Sequence, residues 1–114
     1  MTHQVFSTAF FEKKIKDLSR KYRRIRYDFG DLIEELGKGP YAGDRIPGCI
    51  GPVFKCRMSS RDMQRGKSGG FRIIYLVREN EKAVYLLTIY PKSERENIDA
   101  TEINRTLLKT GLGR

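Results

Sequence analysis

Histidine, tryptophan and cysteine are nearly missing from this sequence of 114 residues, which has one His, no Trp and two Cys. Cys49 and Cys56 form no Cys-x-x-Cys pair and no disulfide framework, and read as small, semi-buried apolar residues. With His3 as the one imidazole, the soft ligands for a zinc site are too few, so neither a metal nor a cofactor is expected. Long apolar runs are absent too. No stretch approaches the roughly 18 consecutive apolar residues of a membrane span. The opening Met1-Thr2-His3-Gln4-Val5-Phe6 lacks the charged start and apolar core of a secretion signal. The expectation is a cytoplasmic protein without a membrane partner. Acidic residues are the minority charge, 14 against 23 Lys plus Arg, leaving a formal net charge of +9. Such a balance favours a polyanionic partner such as nucleic acid, ribosome, acidic membrane or acidic protein.

Repeats, low-complexity tracts and Pro/Ser-rich linkers are lacking as well, so residues 1–114 are expected to form one domain. Apolar residues make up 39% of the chain and are spread along it, which is enough for a core. A domain this small buries a modest share of its surface, so a stabilising partner would matter.

Val5-Phe6 reads as a short first strand. From Thr8 onward Phe11, Ile15, Leu18 and Tyr22 share a helical face; in a second helix Ile25, Phe29, Leu32, Ile33 and Leu36 do the same. The break between the two falls near Ser19 to Arg23, and Gly37-Lys38-Gly39-Pro40 stops the second helix. Residues 37–52 hold five Gly and three Pro, which is turn chemistry with at most a short strand around Arg45-Ile46. Period two follows: Phe54, Cys56 and Met58 take one face, Lys55 and Arg57 the other. Phe71 to Val77 and Ala83 to Tyr90 are apolar on both faces, as central strands covered on each side should be. Asp99 with Glu102 forms a capping box, Ile98 with Ile103 has hydrophobic-staple spacing, and Thr110-Gly111 ends the last helix. Ser93 with Glu96 offers a second capping box. The layout is α+β: an antiparallel sheet of about four strands with two N-terminal helices packed on it and a C-terminal helix.

Three basic constellations stand out. Lys55 and Arg57 share a strand face, and an antiparallel return would bring Arg72 beside them. With Arg61, Arg65, Lys67 and Asp62, residues 55–72 carry a net +5. Such a face suits a phosphodiester, although a solvated edge-strand face would look the same. Arg20-Lys21-Tyr22-Arg23-Arg24-Ile25-Arg26 is either a solvated helix face or a sequence-blind footprint on RNA, with Arg23 and Arg24 as contacts. Tyr90-Pro91-Lys92-Ser93-Glu94-Arg95 places Lys92 and Arg95 where the chain leaves the sheet. The triplet Gly66-Lys67-Ser68 is not a phosphate-binding P-loop, because Arg61 stands where that loop needs Gly and a strand follows.

These segments resemble the RelE/ParE toxin superfamily, and within it the HigB branch. The residues that carry the resemblance are Phe54-Lys55-Cys56-Arg57-Met58, Gly66-Lys67-Ser68-Gly69-Gly70-Phe71-Arg72-Ile73-Ile74-Tyr75 and Val84-Tyr85-Leu86-Leu87-Thr88-Ile89-Tyr90-Pro91-Lys92. The resemblance implies a microbial ribonuclease fold and a type II toxin–antitoxin role, cutting mRNA in the A site of the 70S ribosome. It also implies a cognate antitoxin. By position it assigns catalysis to Lys55, Arg57, Arg72 and Lys92, with Arg95 the substitute for Lys92. From the charge pattern, and not from the resemblance, Arg61, Arg65, Lys67, Arg95, Arg23 and Arg24 are expected to bind RNA. The family's C-terminal tyrosine has no counterpart, since the chain reads Asn97-Ile98-Asp99 there; Tyr90 is the nearest substitute.

RNA cleavage without a metal uses the ribose 2′-hydroxyl as nucleophile and leaves a 2′,3′-cyclic phosphate, which calls for a base, an acid and charge stabilisation. His3 alone cannot fill both proton-transfer roles. A lysine crowded by cations gives up its proton more readily, so Lys55 or Lys92 is the candidate for base or acid, and Arg57 and Arg72 clamp the phosphate. The chief rival is a ParE-like, non-enzymatic poison of DNA gyrase, which would share the fold. A nucleic-acid-binding module without catalysis is a third reading, and the absence of RRM or KH signatures weighs against it.

Overall fold

The computed structural model describes residues 2–63, 69–95 and 97–113. The elements run in chain order as β1 (Gln4–Ser7), α1 (Ala9–Leu18), α2 (Ile25–Lys38), β2 (Asp44–Arg45), β3 (Val53–Met58), β4 (Phe71–Arg78), β5 (Ala83–Pro91) and α3 (Ala100–Lys109). The five strands make one sheet in the order β1-β5-β4-β3-β2. The α+β class is as expected. The sheet has five strands rather than about four, because Asp44–Arg45 adds a two-residue edge beside Phe54 and Lys55. It is also mixed, since β1 runs parallel to β5. The physical reason is the crossover: α1 and α2 cover one face before the chain returns, so the first strand pairs beside the last.

Local chemistry explains the boundaries. Thr8 caps α1 by accepting the Phe11 amide at 3.2 Å, and its hydroxyl donates to the Leu86 carbonyl at 2.8 Å, tying the β1–α1 junction to β5. No Gly or Pro separates α1 from α2; the chain turns there because Tyr22 swings into the core. Asp99 caps α3, accepting the Glu102 amide at 2.9 Å. At the far end of α3 the Leu112 amide reaches the Leu107 carbonyl at 2.9 Å, and Gly111 takes φ +78, a Schellman stop. No helix begins at Ser93, which lies in a turn closed by the Glu94 amide on Pro91; Glu96 lies outside the described residues.

Two apolar clusters sandwich the sheet. Phe11, Ile15, Ile25, Phe29 and Leu32 of α1 and α2 pack on Phe54, Phe71, Ile73 and Tyr75. On the opposite face Ile98, Ile103 and Leu107 pack on Val53, Ile74, Leu76 and Leu87. Burial of each such side chain contributes about 1.5–3 kcal/mol against the entropy of ordering it. Cys56 packs with the first cluster and Cys49 with the second, so the sheet stands between the two free thiols.

One irregularity shapes the site. Tyr75 pairs with Leu86 but Ile74 pairs with Thr88, so Leu87 is an extra residue in β5. Beyond this bulge the alternation of β5 is shifted by one. Ile89 therefore joins the α1/α2 core, while Tyr90 falls opposite Arg72 on the α3 face.

Candidate active site

β3 and β4 build the site by simple alternation. Phe54, Cys56 and Met58 point into the core beneath α1 and α2, so Lys55 and Arg57 project from the other face. Phe71 and Ile73 also enter that core, and Arg72 between them projects with Arg57, its register partner. Lys92 follows β5, and its amide donates to the Gly70 carbonyl at 3.1 Å. That bond explains the second glycine ahead of β4: a Cβ at Gly70 would stand 2.2 Å from the Met58 carbonyl oxygen. Without a side chain, the hairpin closes and carries Lys92 against it.

Lys55, Arg57, Arg72 and Lys92 all line one cavity of ≈ 510 Å³ that opens along the edge of β3, with α2 and the turn before β2 on its other side. Arg72 is buried, with 5% of its surface exposed, and its Nη1 donates to the Phe71 carbonyl at 3.2 Å. Lys55 and Lys92 are half-buried and Arg57 is exposed. The Lys55 Nζ donates to Asn97 Oδ1 at 2.9 Å. Two carboxylates, Glu35 of α2 and Asp44 of β2, line the same space. Cys56 lines it too, but burial, with the nearby Glu35 charge adding to it, pushes its thiol up to about 12. A thiol held protonated is no nucleophile at neutral pH.

The other basic residues fare differently. Arg61 donates to Asp28 at 2.7 Å and to Asp31 at 2.8 Å, carboxylates that hold its guanidinium firmly charged. Arg24 donates through its amide and Nε to Asp62 and through Nη2 to the Arg61 carbonyl. These bonds keep the Asp62 carboxyl below its usual range. Arg95 is held by Glu102, at 3.0 and 3.3 Å, with its guanidinium 5.4 Å from the centre of the Tyr90 ring. Arg24, Arg61 and Arg95 are therefore fastened within the protein, whereas Arg23 lies exposed in the turn between α1 and α2. Arg65 and Lys67, with the rest of the Gly66-Lys67-Ser68 triplet, lie outside the described residues. Tyr90 is buried, its ring covered by Arg95.

Sequence reasoning missed Glu35, Asp44 and Asn97. Asp44 hides in a glycine-rich turn, and only the β2–β3 register sets it opposite Lys55. Glu35 reads as one more acid on the polar side of α2. Asn97 reaches Lys55 through a long-range fold of the chain, for which no local pattern exists. Among the described residues, no three His, Cys, Asp or Glu side chains are grouped to hold a metal ion. No helix there is long and apolar enough to cross a membrane.

The family model described as the RelE toxin of the RelE/RelB toxin–antitoxin system matches residues 3–110. The chain belongs to the RelE toxin family. A solved structure of the E. coli toxin RelE, a mutant in the free state, is similar to it with a TM-score of 0.58 at 15% identity. The likeness covers 96% of this chain and 97% of that one, and at such low identity it bears on the fold alone. As a RelE-family member the protein is a toxin of a toxin–antitoxin system that inhibits translation, with a cognate antitoxin as its partner. The match is to the RelE family as a whole and does not single out the HigB branch.

Proposed function

We propose that this RelE-family toxin is a ribosome-dependent endoribonuclease that cuts mRNA without a metal. The observation that carries the reading is the convergence of Lys55 and Arg57 from β3, Arg72 from β4 and Lys92 from the turn after β5 on one cavity. Four cations against two carboxylates repel a divalent ion and attract a phosphodiester. The 2′-oxygen of the ribose forms a bond to the adjacent phosphorus and the bond from phosphorus to the 5′-oxygen breaks. The 2′-hydroxyl proton passes to a base, and the departing 5′-oxygen takes one from an acid. The products are a 2′,3′-cyclic phosphate and a 5′-hydroxyl. Lys55 and Lys92 are the candidates for proton transfer, while Arg57 and Arg72 neutralise the charge that grows on the phosphate. Loss of one such donor costs about 100- to 1,000-fold in rate. The ribosome supplies orientation, a large part of the acceleration in reactions of this kind, and work on ribosomes belongs in the cytoplasm.

Primer extension on cellular mRNA after induction tests this. New 5′ ends with the wild type that vanish with Arg72→Ala support it. Ends that persist unchanged with that variant remove Arg72 from the chemistry, whereas DNA damage with translation intact overturns the nuclease reading and favours gyrase poisoning. Charge complementarity further argues that the antitoxin lays an acidic or amphipathic segment on this basic surface; a pull-down with the neighbouring gene's product that yields no complex counts against it.

A further inference from the structure

We propose that Asn97 is a positioning residue that aims the Lys55 ammonium into the cavity, and that Arg95, itself held by Glu102 of α3, braces it. The inference rests on the nuclease reading above and deepens it.

A lysine ends in a compact charge on a flexible four-carbon stem, so its position is set by what it bonds. Here the partner is a neutral amide: Lys55 Nζ donates to Asn97 Oδ1 at 2.9 Å. A neutral acceptor orients the amine without clamping its proton as a carboxylate would. That property suits a group asked to exchange a proton.

Asn97 is itself held. Its carbonyl accepts from Arg95 Nε at 3.2 Å, and Ile98, next along the chain, is buried in the α3-side core. Arg95 is fixed on two further sides, by the Glu102 carboxylate and by the Tyr90 ring beneath it. Glu102 stands three residues after the cap Asp99, where a capping box would turn its side chain back toward the cap amide. It bonds Arg95 instead. The departure is explained if α3 serves as a buttress: Glu102 holds Arg95, Arg95 holds the Asn97 backbone, and Asn97 holds Lys55. Arg95, expected to touch RNA, becomes a strut.

The charged groups around Lys55 are Asp44 from β2, Arg57 on its own strand, Arg72 from β4, Lys92 after β5 and Glu35 from α2. Of these groups Lys55 is the one bonded by the Asn97 side chain, so substitution there acts first on Lys55.

The experiment is single-turnover cleavage of mRNA on programmed 70S ribosomes across pH, for wild type, Asn97→Ala, Asn97→Asp, Lys55→Ala and the Lys55→Ala/Asn97→Ala double variant. Asn97→Ala should lower the maximal rate by about 100-fold, the scale of a misplacement of about 1 Å. Ribosome affinity and melting temperature should not change, because the amide is exposed. Asn97→Asp keeps the acceptor but adds charge, so the limb of the pH–rate profile that depends on Lys55 should move to higher pH. In the Lys55→Ala background, Asn97→Ala should add nothing, since it acts through the lost amine. Asn97→Ala cutting at the wild-type rate while Lys55→Ala is impaired overturns the positioning role and leaves the nuclease reading standing. Equal losses in both backgrounds also overturn it. Wild-type cutting by Lys55→Ala instead removes Lys55 from the chemistry, and this inference falls with that assignment.

Discussion

Arg57 and Arg72 stand opposite each other in register across β3 and β4, two cations on one face of the sheet. Like charges placed this way weaken an antiparallel pair, and removing one of them relieves that repulsion. Arg57→Thr should therefore raise the stability of the free protein by about 0.2–1 kcal/mol, while mRNA cleavage falls by about 100-fold or more. Thermal melts paired with primer extension measure both. A variant that is less stable than the wild type and still cuts would break the link between the two effects.

Gly70→Ala tests the hairpin closure. The added methyl would meet the Met58 carbonyl oxygen at 2.2 Å, a backbone atom that cannot rotate aside. β3 and β4 must part at the end joined by the 59–70 connection, at a cost of about 1–3 kcal/mol by analogy with overpacking. The Gly70 carbonyl itself holds the Lys92 amide, so cleavage should fall further than the loss of folded protein accounts for. Urea melts with rate measurements on the folded fraction give the comparison; a variant as stable as the wild type would show that the hairpin has room.

Much of this was readable from the chain, for definite reasons. Helix faces such as Phe11–Ile15 and Phe29–Leu32–Leu36 show a period that burial requires, and Asp99 marks its helix start by a cap that the backbone needs. The alternation in β3 put Lys55 and Arg57 on one face, and the fold keeps them there. The bulge at Leu87 was hidden because β4 and β5 are apolar on both faces, which leaves a shift of one residue without a trace in the pattern. The parallel edge at β1 depends on where the crossover returns, a tertiary fact. Which cations are open and which are fastened was equally invisible: Arg57 and Arg61 look alike in sequence, and only the distant Asp28 and Asp31 tell them apart.

Arg61 follows from that distinction. Asp28 is buried, and its carboxylate accepts from the amide and the guanidinium of Arg61. Arg61→Ala leaves this buried carboxylate with less hydrogen bonding, a loss of about 1–3 kcal/mol. The variant should melt earlier, whereas Arg23→Ala, which removes an exposed cation, should not. Ribosome affinity of the folded protein should respond in the opposite order. Arg61→Ala melting with the wild type would place the residue back among the RNA contacts.

Acid stability should depend on Glu79, which gathers the far end of β4. Its carboxylate is bonded by Lys82, Tyr41 and His3, with His3 Nε2 at 2.9 Å, and in that order these partners hold its pKa down at about 2 against an ordinary 4.5. A carboxylate whose pKa is depressed on folding favours the folded state above its unfolded value, and that contribution drains away as pH falls toward the folded value. The contribution is thus in place at neutral pH and lost between about 4.5 and 2. Glu79→Gln should lower the melting temperature at pH 7 and converge with the wild type as the pH approaches 2. The group is fully exposed, so the gap should be small and shrink in high salt. Arg72 lies at the opposite end of β4, and cleavage at neutral pH should be unchanged. Melting curves of both proteins across this range decide it: a gap that stays constant with pH would mean that Glu79 acts through packing and not through its charge.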